Sequence, residues 1–428
     1  MTAAIVLGLL AILLAVETPI AFAVGVIAFA GLLFTGIGNA PVAAQRMFAG
    51  MNSYGLLALP LFILAGNLLV GGGIIRKLVD FVDLLVGRVR GGLAYVNILS
   101  NMLMAGLSGS ATADTAALGS VMTPMMRARG YSADFAAALT ISGAMIAPII
   151  PPSIIMVIYA IPTKLSIGAM FFAGIVPGLL IVVLLMLYVA LRAHKIAPPP
   201  TRERHDRSLA RATLDALPVL VAPVIIVGGV RGGIFTATEA AAVLAAYALF
   251  LTVVVYRTAD AKSLFEIFRE SALTTATVMI VVATSTLFAW FLAIENVPGA
   301  AKAMFAAMTD NRYVFLIIVN AFLLVVGCFV DTVPAILIFV PILQPTALSY
   351  GIDPIHFAII VIVNLMVGLN TPPIGTNLFV ISSVTGRPMG AIARALLPFY
   401  AIKLLALMII TYLPFVSLML PRMAGLIR

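Results

Sequence analysis

Apolar stretches, most of them about twenty residues long and so able to cross a hydrocarbon layer roughly 30 Å thick, recur along the whole chain with short polar breaks between them. They predict crossings over residues 3–16, 19–37, 52–70, 134–160, 168–191, 215–231, 237–256, 271–294, 355–383 and 394–420. Two further stretches, 93–126 and 313–345, are too long for one crossing and carry polar residues at their midpoints. They predict re-entrant helical hairpins, whose tips must be surrounded by protein or water because unpaired backbone is not tolerated in lipid. Residues 74–89 follow another pattern. Ile75, Leu78, Val79, Val82, Leu85, Val86 and Val89 recur at helical spacing with Arg76, Lys77, Asp80 and Asp83 between them, which predicts an amphipathic helix lying in the membrane interface. Weaker versions occupy 298–309 and 262–270.

One piece of this pattern occurs twice. Asp114-Thr115 is followed by Pro124, Gly130 and Pro151-Pro152, and Asp331-Thr332 by Pro341, Gly351 and Pro372-Pro373. With the two aspartates equivalent, the copies differ by a small insertion between Pro341 and Gly351. Ala137 and Ala358, Ile141 and Ile362, and Met145 and Met366 also coincide. Duplicated, proline-broken hydrophobic segments that carry a carboxylate point to a secondary transporter with its site at the repeat interface.

Composition and charge narrow this further. The chain is 63% hydrophobic and 10% charged, so it is a membrane protein with no polar stretch long enough for a soluble domain. The apolar N-terminal segment lacks the basic region of a signal peptide and is expected to be a retained first helix. The net charge of +9 sits in short loops, as positive-inside topology requires, and does not imply a nucleic-acid partner. Arg76, Lys77, Arg88, Arg90, Arg127, Arg129, Arg192, Lys195, Arg202, Arg204, Arg207, Arg211, Arg257, Lys262, Arg269, Arg387 and Arg394 all fall on one face when each hairpin enters and leaves from the same side. That face is the cytoplasm, both termini are then periplasmic, and the hairpins enter from opposite faces. The expected fold is an all-α polytopic membrane protein with inverted repeats, two re-entrant helical hairpins and two broken helices. One cysteine, Cys328, excludes a disulfide framework and a multi-cysteine metal cluster. No nucleophile elbow, zinc-binding helix motif, Walker loop or dinucleotide fingerprint occurs, so neither an enzyme nor an ATP-driven pump is expected.

Polar residues inside apolar stretches are the candidate chemistry. The first tip, Gly106 to Asp114, is rich in glycine and hydroxyl residues, which suits a chain reversal and equally suits hard oxygen ligands for a cation. Asp114 and Asp331 would each cost roughly 2.5–3.5 kcal/mol at a bilayer centre without compensation. Capping of the returning half-helix and pairing with a bound cation both supply it. Pro148, Pro151-Pro152-Ser153 and the run Asn370 to Asn377 interrupt helices at mid-span. Such breaks free carbonyl oxygens on one half-helix and leave a positive dipole end on the other, although a proline kink alone needs no ligand. Asn67, Asn97, Asn101, Ser142 and Asn364 read as interhelical glue. Glu17 falls at a helix junction, Glu239 reads as a helix-start residue, His356 as a surface or packing residue, and His194 and His205 as loop residues.

Several motifs together resemble the large membrane subunit of the tripartite ATP-independent periplasmic (TRAP) transporters. They are Leu59-Pro60-Leu61-Phe62-Ile63-Leu64-Ala65-Gly66, Ser108-Gly109-Ser110-Ala111-Thr112-Ala113, Gly130-Tyr131, Ile150-Pro151-Pro152-Ser153, Gly174-Ile175-Val176-Pro177-Gly178, Gly233 to Ala240, and Thr371-Pro372-Pro373-Ile374-Gly375. The resemblance spans almost the whole chain; Ala237 departs from the usual proline.

It implies a sodium-driven importer of an organic anion, such as a C4-dicarboxylate, sialic acid or another sugar or keto acid, in a bacterial inner membrane. The implied mechanism is an elevator within one membrane domain, 1–428. A transport block of 93–160 and 313–383 moves against a scaffold of 1–92, 161–312 and 384–428. The implied partners are a separate small four-helix membrane subunit and a periplasmic substrate-binding protein; a stand-alone sodium/carboxylate symporter is the rival reading. Sodium is the coupling ion, with no other cofactor. Carried onto this chain, one sodium site joins Ser108, Ser110 and Thr112 to Pro148, Pro151 and Ser153. A second joins Gly327, Asp331 and Thr332 to Gly368, Asn370, Thr371 and Gly375. Substrate lies between them, near Ser110, Ala111, Ser153, Thr332, Thr376 and Asn377, and needs no arginine at mid-span.

Overall fold

The computed structural model describes residues 18–36, 38–71, 74–196 and 209–427, with isolated positions between 6 and 16, and among these every regular element is helical. The expected crossing at 3–16 lies largely outside the described residues. So do Glu17, Arg202, Arg204, His205 and Arg207.

The described chain opens with α1 (Ile20–Thr35), α2 (Ala40–Met51), α3 (Ala58–Gly71) and α4 (Ile74–Val86). A first helix-turn-helix, α5 (Gly92–Ser108) and α6 (Ala111–Ala128), is followed by α7 (Ala133–Ala144) and α8 (Ile154–Thr163), which an irregular segment separates. Next come α9 (Ile167–Ile196), α10 (Leu209–Arg231), α11 (Ala237–Phe250), α12 (Ala261–Ile294) and α13 (Val297–Met308). A second helix-turn-helix, α14 (Arg312–Phe329) and α15 (Thr332–Ser349), precedes another interrupted pair, α16 (Pro354–Gly368) and α17 (Thr376–Thr385). The chain closes with α18 (Met389–Tyr412) and α19 (Pro414–Met423). Eight helical stretches among the described residues are long and apolar enough to cross a membrane.

The elements recur at a constant offset. Ala111 and Thr332, Ala128 and Ser349, and Ala133 and Pro354 are all 221 residues apart, with no insertion between the copies. This corrects the register read from the two aspartates. Asp331 stands opposite Ser110, Pro345 opposite Pro124 and Gly351 opposite Gly130, while Asp114 faces Ala335. The aspartates misled because either residue can open a helix, and Pro341 happens to repeat the Asp-to-Pro spacing.

The copies are interlocked. The returning arm α6 packs on α17 and its counterpart α15 on α8; likewise α7 packs on α18 and α16 on α9. Each hairpin therefore rests on the second half of the other copy's broken helix, and one apolar core runs through both. Beside it, α12 packs along α1, α2, α3 and α15, α3 packs on α11, and α10 on α4 and α11. A separate small apolar cluster joins α1 to α12 through Val24, Ala28, Phe288 and Phe291.

Three further expectations change. Residues 394–420 are not one helix, because Pro414 has no N–H to continue α18 and a new helix starts there. The interfacial helix expected at 262–270 is the start of α12, which Asp260 caps through the Ser263 N–H at 2.9 Å and which contains neither glycine nor proline. Helix α2 was not expected. Its start is nevertheless signalled by Asn39, whose side chain accepts from Val42 N at 3.1 Å, and by Pro41 in the first turn.

Candidate functional site

At the first hairpin tip Gly109 takes φ +62°, a left-handed conformation that glycine adopts without steric cost, and Ser110 returns to extended backbone. Ser110 Oγ then accepts from Ala113 N at 3.3 Å, and Ser108 Oγ accepts from Ser110 N at 3.2 Å. Ser110, not Asp114, caps the returning arm. Asp114 is fully buried in the first turn of α6. The tip rests on the first break, since a Cβ on Gly109 would stand 2.5 Å from the Pro152 carbonyl oxygen. Within that break Ser153 Oγ donates to Pro148 O at 2.6 Å and accepts from Met156 N at 3.1 Å, capping α8.

The second tip repeats the arrangement with other residues. Asp331 caps α15 through Val333 N at 3.4 Å, with Pro334 in the first turn, where no donor is needed. Gly327 lies flat against Gly368, where a Cβ would meet the Gly327 Cα at 2.6 Å, and Gly375 N donates to Cys328 O at 3.4 Å. In this break Thr371 Oγ1 donates to Val367 O at 2.8 Å, and Asn377 Nδ2 to Asn370 Oδ1 at 3.0 Å. Asn370 Nδ2 donates across the copies to Ile141 O at 3.2 Å, and Tyr400 Oη donates to Asn370 O at 2.7 Å. Both Pro-Pro peptide bonds, Pro151-Pro152 and Pro372-Pro373, are cis. The breaks differ in exposure: Pro151, Pro152 and Ser153 are buried, whereas Pro372, Pro373 and Ile374 are exposed.

Between the tips opens a cavity of about 420 Å³. Gly109, Ser110, Ala111 and Thr112 line it from the first tip, Asp331, Thr332, Val333 and Pro334 from the second, and Pro148, Met366 and Leu369 from the broken helices. Its remaining wall includes Ile63 of α3 and Thr274, Thr277, Val278 and Val281 of α12. The first turns of α6 and α15 thus both face this space, and among the described residues Asp331 is the one charged residue on its wall. Thr332 Oγ1 is buried there without a hydrogen-bond partner.

Of the residues expected around cations, Ser110, Thr112, Pro148, Asp331 and Thr332 line the cavity. Ser108, Pro151, Ser153, Gly327, Gly368, Asn370, Thr371 and Gly375 do not. Of those expected around substrate, Ser110, Ala111 and Thr332 line it; Ser153, Thr376 and Asn377 do not, and Ser153 and Asn377 spend their side chains bracing the breaks. No group of three or more His, Cys, Asp or Glu side chains gathers as a metal site among the described residues. Two polar readings are corrected: Asn101 Nδ2 donates to Asn97 Oδ1 at 2.8 Å and Ser142 Oγ to Ala138 O at 2.7 Å, so each bonds one turn back in its own helix and does not join helices. Glu239 forms a capping box with Thr236, and His356 is a packing residue, not a surface one: it is 2% exposed with Nδ1 2.7 Å from Ser417 Oγ. Asn97 donates to Thr140 Oγ1 at 2.7 Å, Asn364 to Asn320 Oδ1 at 2.7 Å and Asn67 to Ser271 Oγ at 2.9 Å, each joining two helices.

Residues 7–416 match the family described as "Tripartite ATP-independent periplasmic transporter, DctM component". The chain belongs to this family. It is 42% identical to the C4-dicarboxylate TRAP transporter large permease protein DctM of Pseudomonas aeruginosa, over 90% of each chain. To the sialic acid TRAP transporter large permease protein SiaM of Vibrio cholerae it is 39% identical, over 95% of each. To the 2,3-diketo-L-gulonate TRAP transporter large permease protein YiaN of Escherichia coli it is 37% identical, over 97% of each. The Alcanivorax borkumensis YdaH transporter shares the fold at a TM-score of 0.62, with 12% identity and coverage of 86% of this chain and 87% of that one. The chain is therefore a TRAP large permease, a multi-pass membrane protein and not an enzyme.

Sequence reasoning missed the α12 wall of this cavity and a buried charge in α18. Thr274 and Thr277 were hidden in an ordinary crossing, although the run Ser271 to Thr277 is unusually rich in hydroxyls. Lys403 is completely buried in α18, and its signal was plain, because no other charged residue lies between Arg394 and Arg422.

Proposed function

We propose that this permease is a sodium-coupled importer of an organic anion, with the cavity between the hairpin tips as its transport site. The observation that carries the reading is the convergence of both tips and both helix breaks on one space walled on its other side by α3 and α12. An anion there faces two helix N-termini, whose free N–H groups and dipoles favour negative charge, together with the hydroxyls of Ser110, Thr112, Thr332, Thr274 and Thr277. With Asp331 on the same wall, an anionic cargo needs cations for compensation. Hard oxygen donors lie close by on both sides: Ser108, Ser110 and Thr112 with the Pro148 to Ser153 backbone, and Asp331 and Thr332 with the Gly368 to Gly375 backbone. Cations bound behind each tip would hold tip and break together as cargo enters. Sodium must then favour the loaded carrier for transport to stay coupled.

The interlocked copies, including α5–α8 and α14–α17, form the moving block of an elevator, with α3, α11 and α12 on the static side. The constant repeat offset and the loop charges support an inverted arrangement in which the hairpins enter the bilayer from opposite faces, with both termini periplasmic in a bacterial inner membrane. The match to TRAP large permeases over nearly the whole chain supports work with a small four-helix membrane subunit and delivery by a periplasmic binding protein over a stand-alone symporter. The substrates named for relatives support a cargo among carboxylates and acidic sugars.

The test is uptake into proteoliposomes holding the permease and its small subunit, with labelled organic acids presented on the cognate binding protein. Uptake is expected to follow an inward sodium gradient and to stop when either the gradient or the binding protein is withheld. Equal uptake without sodium contradicts the coupling, and equal uptake without the binding protein favours the symporter.

A further inference from the structure

Lys403 is a charge for which the transport site has no role so far. Its Nζ is buried without a hydrogen bond, and it faces the Tyr400 ring with 5.6 Å to the centroid. The residues that share its buried face, Ile392, Leu396, Phe399, Leu407 and Ile410, are apolar. The fold itself does not call for a lysine here. At the constant offset of 221, which also pairs Pro398 with Pro177, the equivalent position in the first copy is Val182 of α9, also buried. A buried, unpaired ammonium is expensive, so the group either loses its proton or repays the cost through function.

The titratable groups on the helices packed against α18 stand mostly at their ends. Asp134 of α7 is held by Arg387 at 2.7 Å, Arg192, His194 and Lys195 close α9, His356 of α16 is bonded to Ser417, and Arg422 closes α19; α17 has none. Nearer the middle only Tyr188 and Tyr400 titrate. Tyr400 is the link to the site, because its Oη donates to the Asn370 carbonyl in the second break. For a separation on the order of 10 Å and an effective dielectric of about 20, a unit charge changes the affinity for a monovalent cation by roughly ten- to twentyfold.

We propose that Lys403 is a titratable counter-charge to the cation of the second break. Sodium held behind the second tip and a proton on Lys403 oppose each other, so sodium binding lowers the lysine's hold on its proton. The ammonium becomes a neutral amine, the proton leaves to bulk water, and the block exchanges one positive charge for another. This rests on the sodium reading above. The sign is fixed: a protonated Lys403 weakens sodium binding, so sodium affinity rises with pH.

Sodium is titrated calorimetrically into the full chain in lipid nanodiscs at pH 6 and pH 8.5, in buffers of different ionisation enthalpy. Wild type is expected to bind sodium about tenfold more tightly at the higher pH, with buffer-dependent heat that reports proton release. Lys403→Met is expected to bind tightly at both pH values and Lys403→Arg weakly at both, each without proton release. Thermal midpoints without sodium check that the variants are folded, and the proton release of wild type needs no variant. A wild-type affinity independent of pH, or a pH dependence kept in Lys403→Met, overturns the role of Lys403 and leaves the sodium site standing. Absence of any sodium binding at both pH values overturns both.

Discussion

Asp331 combines a structural and an electrostatic job in one carboxylate, and substitution can separate them. Asparagine caps a helix about as well as aspartate, so Asp331→Asn keeps the bond to Val333 N and removes only the charge. It is expected to leave the thermal midpoint nearly unchanged while abolishing sodium-dependent uptake. Asp331→Ala should lose uptake too, with about 1 kcal/mol of stability lost with the cap. Uptake retained by Asp331→Asn would remove the carboxylate from the cation site. At this scale the sequence was legible wherever a residue type has one common use: Glu239 as a cap, Asn97 and Asn364 as interhelical donors. It misled where two neighbours could do the same job. Ser110 and Asp114 both suit a helix start, and the left-handed turn at Gly109 decides for Ser110.

At the scale of elements, the close approach of hairpin and broken helix is the feature most open to test. A Cβ on Gly368 would meet backbone at 2.6 Å, and one on Gly327 at 3.1 Å, so neither neighbour can yield without moving a helix. Gly368→Ala is expected to cost roughly 1–3 kcal/mol and to lower sodium affinity, with Gly327→Ala milder. Gly390→Ala in α18, with no atom within 4 Å of the added methyl, is the neutral control. A second contact ties α7 to the loop before α18: Arg387 donates to both Asp134 oxygens, at 2.7 and 3.1 Å. Both side chains are partly exposed, so Arg387→Gln should cause only a small downward thermal shift, one that shrinks in high salt. The hairpin arms and both breaks were legible because length and proline spacing define them without tertiary information. The division at Leu413 and the run-on of α12 were less so, since one depends on a single proline and the other on the absence of any breaker.

For the whole molecule, interlocking has a consequence that sequence periodicity alone does not give. Because α6 rests on α17 and α15 on α8, each copy leaves an apolar face open without the other. Residues 1–196 expressed alone are expected to be degraded or aggregated, and co-expression with 209–428 should restore a folded, detergent-stable complex; a stable N-terminal half would contradict the exchange. That the chain is a transporter was legible from duplicated, proline-broken apolar segments. The α12 wall was not, and Lys403 stood out as a lone charge whose role was hidden, since both meanings depend on which helix faces which. The central claim is that the space between the tips opens to each side of the membrane in turn. The most direct measurement is labelling of Thr112→Cys, made in a Cys328→Ser background so that no other cysteine is present, with a membrane-impermeant thiol reagent applied from one face at a time. The account predicts labelling from both faces, with sodium and substrate together shifting or blocking it. Labelling from a single face, unchanged by sodium and substrate, would contradict it.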